Sequence, residues 1–358
     1  MFSQFFLPFL VTFLTTSVAT AVCIPLFKKW KLVDDPATHK HPGIIHKTPI
    51  PRGGGIPIFI GITVAGLFFL PFSKIVFAIF LACLLAVIVG VLDDKYDISP
   101  YARFLLNIVV AVIVVGSGVG IPFVTSPFGG VLHLDAFKLT FDFLGHHSLF
   151  PLSDGIAVLW IVWVMNMLNW SKGVDGQMPG IVTISAIVIG LLSLRFYPLD
   201  QFSLLSATLS FITAGAALGF LLFNFYPAKI FPGYGATVLY LLLSVVSILS
   251  GAKLATAILV MGVPMADGVF TVIRRILTGH SPFWHDRKHL HHLLLHFGFT
   301  QRWVALFYWI VSAIVGAISL TLSSKEKLFA IIMLGILLGG GLLFLHILVE
   351  YRHEKNSI

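Results

Sequence analysis

Residues 74–104, KIVFAIFLACLLAVIVGVLDDKYDISPYARF, decide the fold class, because a long apolar run passes directly into a pair of acids. The run itself, residues 75–92, carries no charged side chain. A bilayer hydrocarbon core about 30 Å thick is crossed by a helix of roughly 20 apolar residues. We therefore expect a transmembrane helix here that leaves the membrane at Asp93 and Asp94.

Apolar runs recur along the whole chain of 358 residues, of which 58% are apolar and only 11% are charged. The mean hydropathy of +0.98 excludes an ordinary soluble domain. We predict an all-α polytopic membrane protein, a bundle of about 10–11 transmembrane helices that forms one domain over residues 1–358. The predicted spans lie near residues 4–26, 54–72, 75–92, 104–122, 155–169, 179–197, 203–224, 235–250, 252–272, 303–322 and 328–349.

Basic residues predict the orientation of this bundle. If the N-terminus lies outside, 17 of the 23 Lys and Arg residues fall in segments placed inside, as the positive-inside rule requires. The first run has Lys28, Lys29 and Lys31 after it and none before it, which fits an uncleaved first span better than a signal peptide. The one substantial outward segment, residues 123–154, contains short alternating stretches that predict a small hairpin.

Paired carboxylates at Asp93 and Asp94 are the first candidates for chemistry. Adjacent acids repel one another and are costly near lipid, so they need a metal ion or basic partners. The simpler alternative is an ordinary charged helix end, with Lys95 as the ion partner.

A second polar group follows the fifth predicted span, in NMLNWSKGVDG at residues 166–176. Asn166 and Asn169 are one helical turn apart and share a face. Asp175 lies in a glycine-flanked turn just beyond them. The alternative is hydrogen bonding between helices plus a polar turn, which suits Asn166 better than the whole set.

The ninth predicted span carries an acid, Asp267, roughly one and a half turns before Arg274 and Arg275. An acid within a span is a functional candidate by default. A buried structural partner for an arginine is an equal alternative.

Three histidines, His289, His291 and His292, form a basic cluster with Arg287 and Lys288. Three imidazoles could bind zinc, but the soft or acidic partners of a closed zinc site are not evident and the neighbouring bases oppose a cation. Protonatable imidazoles beside guanidinium and ammonium groups fit a diphosphate better.

The first inward loop adds His46, Lys47 and Arg52 before three glycines. These bases could be topology signals alone. Together with the other loops, they bring carboxylates, amides and a basic cluster to one predicted membrane face. That combination predicts Mg²⁺ held by acids and phosphate groups held by cations, and we expect no nucleic-acid partner.

Six segments, in order between about residues 25 and 305, resemble the polyprenyl-phosphate N-acetylhexosamine-1-phosphate transferases of glycosyltransferase family 4. The undecaprenyl-phosphate GlcNAc-1-phosphate branch is the most similar, and the muramoyl-pentapeptide translocase is more distant. The similarity of any one segment is weak evidence for the family, whereas six similar segments in the same order are highly specific evidence. They are HKTPIPRGGG (46–55), LDDKYDISPYARF (92–104), NMLNWSKGVDG (166–176), FNFYPAKIFPG (223–233), VPMADGVFTVIRR (263–275) and SPFWHDRKHLHHLLLHFGFTQR (281–302).

The resemblance implies ten or eleven transmembrane helices in the plasma membrane, with the active site on the cytoplasmic face. Members of this family transfer a sugar 1-phosphate from a UDP-sugar to a polyprenyl phosphate and release UMP. The implied cofactor is Mg²⁺, with Mn²⁺ as an alternative. For this chain we expect a HexNAc 1-phosphate, with GlcNAc favoured by the more similar branch and GalNAc, other HexNAc derivatives and MurNAc-pentapeptide as open alternatives. We also expect an undecaprenyl phosphate acceptor and a lipid-linked cell-envelope glycan as the outcome, and the family allows a homodimer.

Site roles carried over by position are expectations of the same kind. The implied catalytic acids are Asp93, Asp94 and Asp175, of which Asp94 and Asp175 are the expected metal ligands. Asp93 is the favoured base or phosphate-activating group. A lipid phosphate is already largely ionised near neutral pH, so Asp93 could position a group rather than remove a proton. The expected substrate-binding residues are Lys47, Arg52, Asn169, Lys172, Asp267, His289, His291 and His292, with the histidines on the uridine diphosphate portion.

Two positions depart from the family pattern. Lys172 stands where the loop after the fifth span usually has the first acid of DGxDG. Tyr234, in KIFPGYGAT at 229–237, stands where the usual MGDxGS loop has its metal-binding Asp. A neutral phenol is a poor Mg²⁺ ligand. We expect the two changes to be coupled, with Lys172 supplying a fixed positive charge where the missing acid weakens the metal site.

Two other classes of function compete with an enzyme. A non-catalytic relative that binds polyprenyl phosphate or a partner enzyme as a scaffold would explain Lys172 and Tyr234. The retained acids and histidines favour an enzyme, because a scaffold has little reason to keep costly carboxylates there. A transporter needs polar groups near the middle of the membrane, where only Asp267 and a few hydroxyls come close.

Overall fold

The computed structural model describes residues 2–37, 48–126, 129–142, 146–195, 200–249, 253–284 and 286–356. Lys47, which we expected to bind substrate, lies outside these residues. The helices are α1 Phe2–Lys29, α2 Gly55–Phe69, α3 Lys74–Tyr96, α4 Pro100–Val115, α5 Pro151–Trp170, α6 Gln177–Ser193, α7 Gln201–Asn224, α8 Thr237–Ile248, α9 Leu254–Val260, α10 Gly262–Leu277, α11 Leu290–His296, α12 Gln301–Thr321 and α13 Ser324–Asn356. The strands are β1 Val33–Asp34, β2 Ile50–Pro51, β3 Phe123–Thr125, β4 Val131–His133, β5 Leu139–Asp142 and β6 His146–Leu149.

Each predicted span coincides with a helix or, in one case, with the bent pair α9 and α10. Within the described ranges, six helices are long and apolar enough to cross a membrane: α1, α3, α5, α7, α12 and α13. The pair α9 and α10 bends by 83° and counts as a seventh span if it is one broken helix. The shorter apolar helices are α2, α4, α6 and α8. The all-α polytopic class is therefore confirmed, while the orientation stays a prediction.

Helices α6, α7 and α8 form the centre of the bundle. Every residue of α8 is buried, and α7 is buried along most of its length. In contrast, only 6% of the most apolar window of α13 is buried. Because lipid tails are as apolar as leucine, this exposed surface is suited to lipid, and α13 lies at the periphery.

Residues between α4 and α5 form two antiparallel hairpins, so the predicted hairpin region is confirmed. β3 pairs with β4, and β5 pairs with β6. Since α4 begins next to Asp93 and ends near these strands, the hairpins lie at the opposite end of the bundle from the paired acids.

At the end that carries the paired acids, backbone hydrogen bonds join two loops far apart in sequence. The N–H of Phe231 donates to the carbonyl oxygen of Pro51 at 2.8 Å, and the N–H of Gly54 donates to the carbonyl oxygen of Phe231 at 3.1 Å. The strand-like segment that ends at Arg52 is thereby fixed against the loop between α7 and α8.

Glycines allow that same loop to lie directly on α2 and α3. A Cβ atom at Gly90 would be 2.1 Å from the Cα of Gly235, and one at Gly55 would be 2.3 Å from the Gly235 carbonyl carbon. Real side-chain carbons do not approach backbone this closely, so the packing requires glycine on both helices. The contact positions the 229–237 loop over the end of α3.

Candidate active site

A cavity of about 670 Å³ is lined by residues from five segments that the sequence predicts at one membrane face. They lie within residues 27–52, 93–103, 166–178, 224–234 and 274–302. Its wall includes Arg52, Asn169, Lys172, Asp175, His289, His291 and His292 from the predicted set. Asp93, Asp94 and Asp267 are buried behind that wall. The five loops therefore do converge, but the predicted residues divide into a cavity-facing group and a supporting group.

Asp93 is held by an arginine that sequence reasoning did not select. Nη1 of Arg103 donates to both carboxylate oxygens of Asp93 at 3.2 Å, and the N–H of Ile98 donates to Oδ1 at 3.1 Å. Asp93 is only 1% exposed, whereas Arg103 lines the cavity. The signal was present, because Arg103 is the basic residue of the motif DISPYARF. Arg103 and Asp93 are ten residues apart in the chain, so the sequence alone does not indicate that they pair.

Asp94 is held by Arg52 and by the loop between α7 and α8. Nε of Arg52 lies 2.8 Å from Oδ1, and the N–H of Tyr234 donates to the same oxygen at 2.9 Å. The second oxygen, Oδ2, is buried without a hydrogen-bond partner. Gly233 has φ +63°, and a Cβ there would lie 2.0 Å from Oδ2. Arginines, rather than the Lys95 of the simpler alternative, thus pair with both acids.

Lys172 and Tyr234, the two departures from the family pattern, are neighbours in the structure. Nζ of Lys172 donates to the carbonyl oxygen of Gly233 at 3.1 Å and lies 5.9 Å from the centroid of the Tyr234 ring. The Arg103 guanidinium lies 5.4 Å from the same centroid. The Tyr234 hydroxyl donates to Oδ1 of Asn107 at 3.2 Å. The ring is therefore close to two cations, as a cation–π arrangement requires.

Burial shifts the ionisation of both residues. It lowers the pKa of Lys172 to about 8, with Arg52 acting in the same direction and Asp94 opposing it. Burial also raises the pKa of Tyr234 to about 12, although the hydrogen bond to Asn107 opposes this shift. At neutral pH the lysine is therefore mostly an ammonium group and the phenol is neutral.

Asp175 and Asn224 join the loop after α5 to the loop after α7. Oδ2 of Asp175 accepts from the N–H of Ala228 at 3.0 Å. The Asn224 side chain accepts from the N–H of Gly176 at 3.1 Å and donates to the carbonyl oxygen of Ile230 at 2.9 Å. Asn224 belongs to the segment FNFYPAKIFPG but was not predicted as a site residue, and it is a structural link between the two loops.

The two amides at the end of α5 differ in their availability. Asn166 donates from Nδ2 to the carbonyl oxygen of Val162 at 2.8 Å, a bond within its own helix. Oδ1 of Asn169 is buried and has no hydrogen-bond partner. Both side chains line the cavity, and an unsatisfied buried oxygen favours a donor from a ligand. Of the two amides, Asn169 is therefore the one with an oxygen available to a ligand.

Asp267 supports a histidine rather than an arginine. Nδ1 of His289 lies 2.8 Å from Oδ2 of Asp267, and the N–H of Leu290 donates to Oδ1 at 2.9 Å. The carboxylate therefore fixes the ring of His289 and the first residue of α11 together. Both carboxylate oxygens of Asp267 are engaged and its side chain lies behind the wall, so it contacts the cavity lining at His289.

Asp286 is the acid that the two arginines of α10 do contact. Nη2 of Arg274 lies 2.7 Å from Oδ2, and Nε of Arg275 lies 3.3 Å from the same oxygen. Burial acts to raise the pKa of Asp286, but the hydrogen bonds from these arginines hold it well below its usual range. The acid stays ionised and fixes the arginines beside the histidines.

His291 and His292 are neutral near pH 7, which differs from a cluster of protonated imidazoles. Burial and the neighbouring imidazoles hold the pKa of His291 well below its usual value. Burial, His289 and Arg287 lower the pKa of His292 to about 4. His291 is also fixed by packing, because a Cβ at Gly173 would lie 1.9 Å from its Nε2. These two rings can offer hydrogen bonds to a ligand but not positive charge.

The arrangement of acids and histidines bears on metal binding. Within the described residues, no group of three or more His, Cys, Asp or Glu side chains is positioned to hold a metal ion. The expected ligands Asp94 and Asp175 each accept from a backbone N–H, and Asp94 also pairs with Arg52.

Comparison with known proteins identifies the family. A family model described as glycosyl transferase family 4 matches residues 76–251. The chain is 31% identical to a probable undecaprenyl-phosphate N-acetylglucosaminyl 1-phosphate transferase of Bacillus subtilis strain 168, over 98% of this chain and 92% of the relative. It is also 31% identical to a decaprenyl-phosphate N-acetylglucosaminephosphotransferase of Mycobacterium tuberculosis strain CDC 1551, over 83% of this chain and 78% of the relative.

A more distant relative has a similar name. The undecaprenyl-phosphate alpha-N-acetylglucosaminyl 1-phosphate transferase of Escherichia coli strain K12 is 28% identical, over 86% of this chain and 80% of the relative. The similarity thus extends well beyond the region that the family model matches. The chain belongs to glycosyl transferase family 4.

Proposed function

We propose that this protein transfers N-acetylglucosamine 1-phosphate from UDP-N-acetylglucosamine to a polyprenyl phosphate, with undecaprenyl phosphate as the acceptor, and releases UMP. The observation that carries the proposal is that one cavity is lined by Arg52, Arg103 and Lys172 together with the amide of Asn169 and a histidine cluster. The names of the relatives support the same reaction. The product would begin a lipid-linked glycan of the cell envelope.

The proposed setting is the cytoplasmic face of the plasma membrane. The excess of Lys and Arg in the predicted inward segments supports this orientation. The donor would then reach the cavity from the cytosol, and the acceptor would reach it from the bilayer. The whole chain, residues 1–358, would act as one transferase domain, and a homodimer is an expectation from the family alone.

The proposed reaction is a direct phosphoryl transfer. An oxygen of the lipid phosphate attacks the phosphorus bonded to the sugar. A new P–O bond forms while the bond from that phosphorus to the bridging oxygen breaks, and the electron pair leaves with UMP. Both reactants are anionic, so the main task of the protein is to lower their repulsion and align them. Cations on the cavity wall suit that task.

Arg52 and Arg103 would contact the phosphate groups, while their acids hold them in place. Asp93 and Asp94 are buried and are paired with these arginines, so we assign them as positioning residues rather than as bases. This assignment agrees with the chemistry, because an ionised lipid phosphate needs no strong base. Asp175, on the cavity wall, is the remaining candidate among the three predicted catalytic acids.

The histidine cluster would bind the uridine diphosphate portion of the donor. His289 is oriented by Asp267, and His291 and His292 offer neutral ring nitrogens to the same cavity. Such fixed donors and acceptors suit a nucleotide that must be bound and then released as UMP. Asp267 is accordingly a positioning residue in this proposal.

The residues present do not fit a Mg²⁺ or Mn²⁺ ion held by Asp94 and Asp175. One oxygen of Asp94 is occupied by Arg52 and by the N–H of Tyr234, and the other, although it has no hydrogen-bond partner, is buried against Gly233 behind the cavity wall. The phenol of Tyr234 is a poor ligand for a hard ion, and Lys172 brings a positive charge that repels one. An ion carried by the nucleotide would enter as part of the substrate.

The test offers the purified protein radiolabelled UDP-GlcNAc, UDP-GalNAc and UDP-MurNAc-pentapeptide in turn, with undecaprenyl phosphate, in Mg²⁺, Mn²⁺ or EDTA. We expect UMP and a lipid-linked product from UDP-GlcNAc. Arg103→Met should lose most of the product, whereas Arg302→Met should keep it. Arg302 is the matched control, because it lies beside Tyr226 and outside the cavity wall.

Other outcomes would refute the proposal. Absence of product from every donor, with lipid binding intact, would favour the scaffold alternative. Uptake of an intact donor or lipid into vesicles without chemical change would favour a transporter.

A further inference from the structure

The cavity wall next to the paired acids carries three basic side chains, Arg52, Arg103 and Lys172. Asp93 is neutralised by Arg103, and Asp94 is neutralised by Arg52. Lys172 is a third basic group, and its hydrogen bond goes to a carbonyl oxygen rather than to a carboxylate. Asp34 lies near Arg52 on the same wall and adds a third acid, so what distinguishes Lys172 is that, within the described residues, no carboxylate accepts a hydrogen bond from it.

Lys172 is held at a defined point on that wall. Its Nζ donates to the Gly233 carbonyl oxygen at 3.1 Å, which uses one of the three ammonium protons. The same glycine is in contact distance of the unpartnered Oδ2 of Asp94, since a Cβ there would lie 2.0 Å from that oxygen. The ammonium group is therefore held on the cavity wall by the same loop residue that covers this buried oxygen.

Tyr234 completes this arrangement. Its backbone N–H binds Asp94, and its ring lies close to Arg103 and Lys172. Its hydroxyl donates to Asn107 instead of facing a ligand. The side chain thus supports two cations electrostatically, where a carboxylate would form ion pairs with them and cancel their charge.

We propose that Lys172 serves as a built-in cation that binds the diphosphate of the donor directly, so that this wall requires no divalent ion held by the protein. The inference rests on the proposed function for the identity of the donor. Because Lys172 would neutralise the negative charge of the diphosphate itself, a measurement of pyrophosphate binding tests this role without any transfer reaction.

The first experiment measures binding of inorganic pyrophosphate to the full-length protein in detergent with excess EDTA, by isothermal titration calorimetry. Wild-type protein should bind pyrophosphate in EDTA with an affinity within threefold of that in Mg²⁺. Lys172→Met should weaken binding in EDTA at least tenfold. Lys229→Met is the control, because Lys229 is an exposed lysine of the neighbouring loop outside the cavity wall, and it should bind as the wild type does.

The second experiment restores acids at both positions. The variant Lys172→Asp with Tyr234→Asp should acquire a site for Mn²⁺ visible by electron paramagnetic resonance, and its pyrophosphate binding should become dependent on the ion. Wild-type protein without nucleotide should bind no stoichiometric Mn²⁺. If the double variant fails to fold, the wild-type Mn²⁺ measurement and Lys172→Met still decide the question.

Three results would overturn the inference: pyrophosphate binding by the wild type that disappears in EDTA, stoichiometric Mn²⁺ bound by the wild type alone, or unchanged binding in Lys172→Met. Failure of the proposed function looks different. In that case pyrophosphate still binds in EDTA through Lys172, while no labelled lipid forms from any donor.

Discussion

Nη1 of Arg103 lies 3.2 Å from both carboxylate oxygens of Asp93, so one guanidinium nitrogen links the end of α3 to the wall of the cavity. The acid is buried and the arginine is largely so. Removing one partner of a buried ion pair leaves the other charge uncompensated, which costs more than replacing both partners.

We expect Asp93→Asn and Arg103→Met each to lower the free energy of unfolding by roughly 3 kcal/mol. The double variant should lose clearly less than the sum, because no unpaired charge then remains. A double-mutant cycle by denaturation in mixed micelles measures this coupling. Strictly additive effects would show that the two side chains do not act as a pair.

Gly90→Ala tests the close approach of the 229–237 loop to α3. The new methyl carbon would meet the backbone of Gly235, so we expect a loss of roughly 1–3 kcal/mol from overpacking and reduced transfer activity. Gly339→Ala is the control in α13, where a Cβ meets nothing within 4 Å. It should be neutral or slightly stabilising, because alanine favours a helix over glycine. Equal effects of the two changes would contradict the packing described.

Asp267→Asn tests the support of His289. Loss of a charged hydrogen-bond acceptor should cost about 1.5 kcal/mol of donor binding, which is a rise of roughly tenfold in KM for UDP-GlcNAc. Asp154→Asn is the control, since Asp154 accepts a backbone N–H near the hairpins at the opposite end. A purely structural loss would lower kcat through a smaller folded fraction and leave KM unchanged, and that result would exclude a positioning role.

Acid should destabilise the protein through His292. Burial and neighbouring charges lower the pKa of this imidazole to about 4 in the folded protein, from an ordinary value of 6.5. As the pH falls from 6.5 to 4, the unfolded chain therefore takes up a proton that the folded chain does not, and stability is lost. His292→Gln should flatten this part of the stability profile, whereas His133→Gln, at an exposed position on β4, should not. An unchanged slope in His292→Gln would contradict the assigned shift.

The helices could be predicted from sequence because long apolar runs have few other structures available in a membrane. The kink between α9 and α10 was not predicted, although Gly262 and Pro264 stand at the break and are residues at which helices commonly bend. The hairpins between α4 and α5 were predicted only as one, because alternation over such short stretches does not set strand pairing.

The location of the site was also predictable, but the partners within it were not. Polar side chains at the ends of spans can be recognised one loop at a time, as for Asp175 and Asn169. Asp93 pairs with Arg103, and Asp267 pairs with His289. These pairings depend on how the helices pack, which the sequence alone does not specify. Burial, which makes His292 neutral, is likewise a property of the folded protein.

The most direct measurement follows the two phosphorus atoms of the donor. Wild-type protein is given undecaprenyl phosphate with UDP-GlcNAc labelled with ³²P at either the phosphorus next to the sugar or the one next to uridine. The account predicts that the label next to the sugar appears in the lipid product and that the label next to uridine remains in UMP. Retention of both labels in the nucleotide, as UDP or as unreacted donor, would contradict it.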